Sequence, residues 1–253
     1  MHDYNQTARA YWWIVAVIGL ALLVRSAYTV IALPALSIVQ IMMAMAFVAA
    51  LAFFPVRIPG TTLSFAAGEV FIFLALLMFG IEAAVVIAAT EGAVGALRSS
   101  KRWTSWLGTP AMAAIATAIS GYGFLAVRAA LEQRALLSGA AMILLVTALA
   151  CVYCALANIL PSLLLALKRA ERLDLLALYK ARTWMAVADL CSIALAMNLF
   201  YADVKIDVWL ILAAVPAVLL LLSAANNLLE RADTESRAPP ARPSPPARQS
   251  QHA

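Results

Sequence analysis

Long apolar runs, broken by single charges, constrain this chain more than any other feature. Apolar residues make up 65% of its 253 residues and charged residues 12%, with a mean hydropathy of +0.92. A soluble globular domain is nearer half apolar and a quarter charged. The runs are continuous and lack the alternation of a transmembrane β-barrel strand. The sequence therefore predicts an all-α fold, a polytopic transmembrane helical bundle.

A membrane-spanning helix needs roughly twenty apolar residues. Breaks at Pro, Gly and charges predict about eight spans, near 10–32, 34–54, 62–80, 81–98, 104–129, 136–166, 183–201 and 206–227. Seven spans are the alternative. We expect residues 1–9 to form the amino-terminal segment and residues 10–230 the transmembrane domain. Within that domain, residues 167–182 predict an interfacial helical elbow, with a solvated loop as the alternative.

The carboxy-terminal residues 231–253 are a different kind of sequence, rich in Pro, Arg and Ser. Such a composition cannot bury a core, which predicts a disordered tail.

The distribution of basic residues predicts the orientation in the membrane. Eight spans put both termini on one side, and all but four of the 18 basic residues then fall on that side. The exceptions are Arg25, Arg128, Arg134 and Lys205. Basic loops face the cytoplasm, so we expect both termini to be cytoplasmic. The basic residues form no continuous face, so we attribute the net charge of +5 to basic loops on the cytoplasmic side. The expected partner is therefore the lipid bilayer and not nucleic acid.

Four polar residues inside the predicted spans form the candidate site: Glu69, Glu91, Asn158 and Asp189. With a rise of about 1.5 Å per residue, all four lie roughly 10–12 Å from the cytoplasmic boundary. Acids within spans are costly and mark function. We predict a shared pocket that binds a small cationic or hydrogen-bonding ligand, or that responds to protons, because low dielectric disfavours a charged carboxylate. The alternative is structural, with these side chains bonding across helices and fixing their packing.

Signatures of catalysis are missing from the sequence. It contains no Walker loop, GxGxxG fingerprint, HExxH or nucleophile elbow, and its two histidines, His2 and His252, lie at the termini. Cys151 and Cys154 have CxxC spacing but lie in an apolar run without a second pair, which favours ordinary packing. We therefore expect no enzymatic activity, no metal site and no cofactor.

Residues 64–106, SFAAGEVFIFLALLMFGIEAAVVIAATEGAVGALRSSKRWTSW, carry a family resemblance. A Ser-Phe lead-in, a Gly-Glu-Val-Phe start, a Phe-Gly turn, an acidic helix and a Ser-Lys-Arg-Trp end follow one another in this order. This order resembles the MASE-type N-terminal integral-membrane sensor modules of bacterial GGDEF diguanylate cyclases and related signalling proteins. The resemblance is sharp over 64–113 and general elsewhere. Ile81 stands where Pro is common, and no GGDEF motif or other output domain follows the last predicted helix.

The resemblance implies a sensory module in a bacterial inner membrane that acts through a cytoplasmic signalling partner and binds an unknown small ligand. The chain would then be a freestanding relative of these modules or a fragment. Two other functions stay open, a substrate-binding membrane subunit similar to those of energy-coupling transporters, and a structural membrane protein. The sequence lacks the clear internal repeat typical of many transporters.

Overall fold

The computed structural model of the protein describes residues 5–52, 56–57, 64–65, 68–136, 138–169, 192–194 and 196–197. Over residues 5–169 the described chain forms six helices: α1 (Gln6–Ile31), α2 (Ala35–Ala52), α3 (Glu69–Phe79), α4 (Ile81–Ser99), α5 (Trp103–Gln133) and α6 (Gly139–Arg169). Residues 192–194 and 196–197 are also helical. A two-residue strand β1 (Val56–Arg57) pairs antiparallel with β2 (Ser64–Phe65). The predicted helical architecture is confirmed for this part of the chain.

Four of these helices, α1, α2, α5 and α6, are long and apolar enough to cross a membrane. Helix α4 has 19 residues, but three of them, Glu82, Glu91 and Arg98, are charged. The predicted span 206–227, most of 183–201, most of the elbow and the tail 231–253 lie outside the described residues. Large apolar side chains such as Ile18, Val39, Val127 and Leu144 lie on the outside of the long helices, as lipid contact requires.

The prediction of a third span over 62–80 is wrong at its start. Helix α3 begins at Glu69 and has 11 residues, so it is about 16 Å long, roughly half of the hydrocarbon layer. Ser64 and Phe65 belong to β2 instead. Pro59 and Gly60, which are typical of turns, separate the two strands in the sequence. The prediction gave more weight to the apolar residues that follow them than to this turn signal.

Helices α1 and α6 run antiparallel to each other. The Asn5 side chain donates a hydrogen bond to the Leu167 carbonyl at 2.7 Å, and Tyr11 Oη donates to the Leu160 carbonyl at 3.0 Å. Partners near the start of α1 are therefore found near the end of α6. Asn5 also caps α1, because its Oδ1 accepts from the Ala8 N–H at 2.9 Å.

Positively charged residues gather at one end of the bundle, which we call the basic end. Helices α1 and α5 begin at this end, and helices α2, α4 and α6 end there. Two hydrogen bonds join these helix ends: Arg98 Nη1 donates to the Ala52 carbonyl at 2.6 Å, and Trp12 Nε1 donates to the Thr104 carbonyl at 3.0 Å. The Arg98 charge also suits the carboxy-terminal end of α2, where carbonyls lack helical partners. The described cations of this end are Arg9, Arg98, Lys101, Arg102, Lys168 and Arg169.

The two helices of the α3–α4 hairpin form the centre of the structure. Gly80 links them in a left-handed conformation, with a φ of 94° that favours glycine. Residues 70–76 are all buried, so α3 is enclosed on every side. Helix α4 packs against α1, α2, α3 and α5. Its buried face is rich in alanine, including Ala83, Ala84 and Ala88, which lets the neighbouring backbones approach closely.

The close approach of α1 to α5 gives a testable prediction. A Cβ added at Gly19 would lie 2.5 Å from the Ala111 backbone, so Gly19→Ala should separate the helices and cost roughly 1–3 kcal/mol. Thermal unfolding of the purified protein in detergent measures this loss. A Cβ at Gly95 meets no atom within 4 Å, so Gly95→Ala is the matched control and should leave stability unchanged or raise it by up to about 1 kcal/mol, because alanine favours a helix. Equal melting temperatures for the two variants would contradict this packing.

Candidate acidic site at the start of helix α3

The carboxyl group of Glu91 lies directly against Gly68, the residue that begins the turn leading into α3. A Cβ added at Gly68 would lie 2.5 Å from Glu91 Oε1 and 2.8 Å from Glu91 Cδ. Any larger residue at position 68 would require the Glu91 carboxyl group to move. The same hypothetical Cβ would lie 3.1 Å from Val48 Cγ1, so α2 forms a second wall of the site.

The electrostatics of a helix start suit this position of Glu91. The first N–H groups of a helix have no intrahelical partners, and the helix dipole places partial positive charge there. The Gly68 carbonyl already accepts the first helical bonds of α3, from Phe71 N–H at 2.9 Å and Ile72 N–H at 3.3 Å. Glu91 therefore places an acidic group beside the positive end of a short, enclosed helix.

Glu69 is the first residue of α3, one position after the glycine that contacts Glu91. Its carboxyl group is partly buried, and the Oε2 atom is fully buried without a hydrogen bond. Glu69 and Glu91 each take part in a further polar or electrostatic interaction. The structure thus brings the first two predicted site residues into one small region between α2, α3 and α4.

Glu69 and Glu91 are both half-buried, and their region lies away from the basic end of the bundle. Glu91 precedes Arg98, which marks the basic end, by seven residues of continuous helix, a distance of roughly 10 Å. The α4 backbone beside it also packs tightly, because a Cβ at Gly92 would lie 3.1 Å from Pro110 Cα. Helix α5 therefore closes the side of α4 adjacent to the acidic site.

The third predicted site residue, Asn158, lies on α6. Its Nδ2 donates to the Cys154 carbonyl at 2.7 Å and contacts Cys154 Sγ at 3.3 Å, while its own carbonyl accepts from Ser162 Oγ at 2.7 Å. These bonds stay within one helix. The fourth residue, Asp189, lies outside the described residues.

Gln40 is a buried polar residue that the sequence candidates omitted. It lies on α2, is 4% exposed, and takes part in a polar interaction. The signal was present in the sequence, since Gln40 is the sole amide within the apolar run of α2. A buried amide needs hydrogen-bond partners, so Gln40 is a candidate polar site residue in the same way as the two acids. It lies eight residues before Val48, toward the Gly80 end of the bundle.

No protein-family model, no curated protein and no solved structure matches this chain.

The contact between Gly68 and Glu91 predicts non-additive mutations. Gly68→Ala should destabilise the protein because the new methyl group meets the Glu91 carboxyl group. In a Glu91→Ala background the same change should cost less, since the carboxyl group is gone. We expect a coupling of about 0.5–3 kcal/mol in a double-mutant cycle of thermal unfolding. Strictly additive effects would show that the two residues are not in contact.

Proposed function

We propose that this chain is an integral-membrane sensory or signalling module, and that the region of Glu69 and Glu91 is its input site. The ligand is a small cation or hydrogen-bond donor, or the proton itself. The observation that carries the proposal is the Glu91 carboxyl group held against Gly68 at the start of α3, two helical turns from the basic end. Ionisable groups at such depth are expensive and are retained for a function.

The local charge favours a positively charged or proton-donating ligand over an anion. In transporters with broken helices, the start of a half-helix faces an anionic group of the substrate. Here the protein's own Glu91 occupies that place at α3, and Glu69 adds a second carboxyl group. Two carboxyl groups in low dielectric repel each other when both are charged, and a cation or a proton relieves this repulsion.

Signalling through a partner is supported by the resemblance over residues 64–113 to MASE-type sensor modules of bacterial signalling proteins. Under this proposal the basic end faces the cytoplasm of a bacterial inner membrane, and the response passes from α4 to a cytoplasmic partner. Helix α4 suits this role because it carries Glu91 and contacts four other helices. Fold analogy alone does not establish such a role, so the proposal depends on the tests below.

A substrate-binding subunit of a transporter is the second candidate. One observation favours it: α3 is a helix of 11 residues that begins within the bundle, as the discontinuous helices of transporters do. Neighbouring reading frames discriminate between the candidates. A cyclase or kinase next to this gene favours signalling, whereas an ATPase pair with a coupling subunit favours transport.

A thermal-shift screen of the purified full-length chain against small cationic metabolites and a series of pH values tests the input site. A ligand at 100 times its Kd should stabilise the protein by about 2.7 kcal/mol. The double variant Glu69→Gln, Glu91→Gln should lose this stabilisation, because both charges are removed while side-chain size is kept.

Glu82→Gln is the matched control for this screen. Glu82 lies at the opposite end of α4, where Tyr122 Oη donates to its Oε1 at 3.4 Å. This variant should keep the full response to the ligand. A double variant that responds like the unaltered protein would overturn the assignment of the site.

The proposed orientation is tested by labelling single cysteines in a background without the three native ones. Lys101→Cys at the basic end should react with a membrane-impermeant maleimide only after bacterial cells are permeabilised. Arg134→Cys, at the end of α5, should react in intact cells. The reverse pattern would place the basic end outside and contradict the topology.

A further inference from the structure

A half-open apolar crevice of about 150 Å³ lies between α1 and the first half of α5. Its lining is almost wholly apolar and includes Trp12, Trp13, Val17, Leu20, Leu107 and Pro110. Trp13 and Leu107 are each about half exposed, so the crevice opens on the outer surface of the bundle. An apolar cavity of about this volume holds a hydrocarbon group the size of benzene. The crevice therefore fits several methylene groups of a chain lying along the protein.

Cations lie at the end of this crevice that faces the basic end. Arg9 precedes Trp13 by four residues, which places it on the same face of α1, one turn further out. Lys101 and Arg102 are exposed and directly precede α5. Arg9 and Arg102 also interact with other groups of the protein.

Aromatic rings connect the cations with the crevice. The Trp103 ring, next to Arg102, meets the Trp12 ring edge-on with centroids 5.3 Å apart, and Trp12 meets Trp13 in the same way at 5.0 Å. Trp106 Nε1 donates to the Ser100 carbonyl at 2.7 Å and holds the segment carrying Lys101 against α5. Tryptophan is enriched where lipid head groups meet the hydrocarbon layer. The order from outside to inside is thus cations, indole rings and apolar crevice.

We propose that this surface binds one anionic phospholipid, with an acyl chain in the crevice and its phosphate against Arg9, Lys101 and Arg102. The crevice selects a lipid over a soluble anion, because it offers contact to several methylene groups. The three cations select an anionic head group over a zwitterionic one, since basic pockets next to membrane helices attract anionic lipids. This binding is separate from the acidic site, which lies on the far side of Gly92 and Pro110.

Native mass spectrometry of the full chain released from detergent tests the proposal, with phosphatidylglycerol and phosphatidylcholine as probes. One phosphatidylglycerol should stay bound under conditions that remove phosphatidylcholine. Replacing Arg9, Lys101 and Arg102 by Gln should lower phosphatidylglycerol retention about fivefold for each cation removed. Equal retention of the two lipids by the unaltered protein would overturn the proposal.

A second pair of variants tests the crevice. Ala16→Phe places a ring in the crevice that Ala16 lines and should abolish phosphatidylglycerol retention. Ala155→Phe adds the same ring at an exposed position of α6 and should leave retention unchanged. Equal retention by both variants would show that no acyl chain lies there. Displacement of phosphatidylglycerol by inorganic phosphate would show that an anion alone is recognised, which also contradicts the proposal.

Discussion

The start of α3 inside the bundle is the constraint on which the rest of this structure depends. Backbone N–H groups at membrane depth cannot bond to water and must be satisfied within the protein. Helix α3 begins about half a membrane thickness from the Gly80 end, so other elements have to enclose its first turn. The burial of residues 70–76 on all sides is the result. Among the described helices, α1, α2, α5 and α6 carry exposed apolar side chains on the outside.

Small residues make this enclosure possible. Gly68 admits the Glu91 carboxyl group, and Gly92 admits the backbone of α5 at Pro110. Each glycine therefore allows a contact that an alanine would obstruct. The acidic site lies against α4, and α4 packs against α5. Glu91 is next to Gly92, which contacts α5 at Pro110, so a change of charge at Glu91 occurs beside a contact with α5. This continuity is the physical basis for proposing that the site has an effect elsewhere in the molecule.

Sequence reasoning predicted the helical class and placed the described long helices within a few residues of their observed bounds. It expected Glu69 and Glu91 at a common height by counting along a helix that starts at 62, whereas α3 starts at Glu69 and the glycine before it contacts Glu91. The start of α3 was predicted too early, because the short apolar run after Pro59 and Gly60 is compatible with either a strand or a helix. The sequence pattern also does not reveal that the Asn158 amide bonds the preceding turn of its own helix, as helical amides can. The role of these residues in ligand binding stays a prediction.

The most direct test of the central claim is disulfide formation between cysteines at positions 68 and 91 in a background without native cysteines. Gly68→Cys with Glu91→Cys should cross-link rapidly in membranes under mild oxidation, because the vacated carboxyl position leaves room for the new thiols. Loss of both free thiols, measured by mass after maleimide treatment, reports the bond. Gly68→Cys with Ala93→Cys, which lies on the opposite face of α4, should not cross-link. Cross-linking of the second pair and not the first would contradict the account of a half-length helix that starts against Glu91.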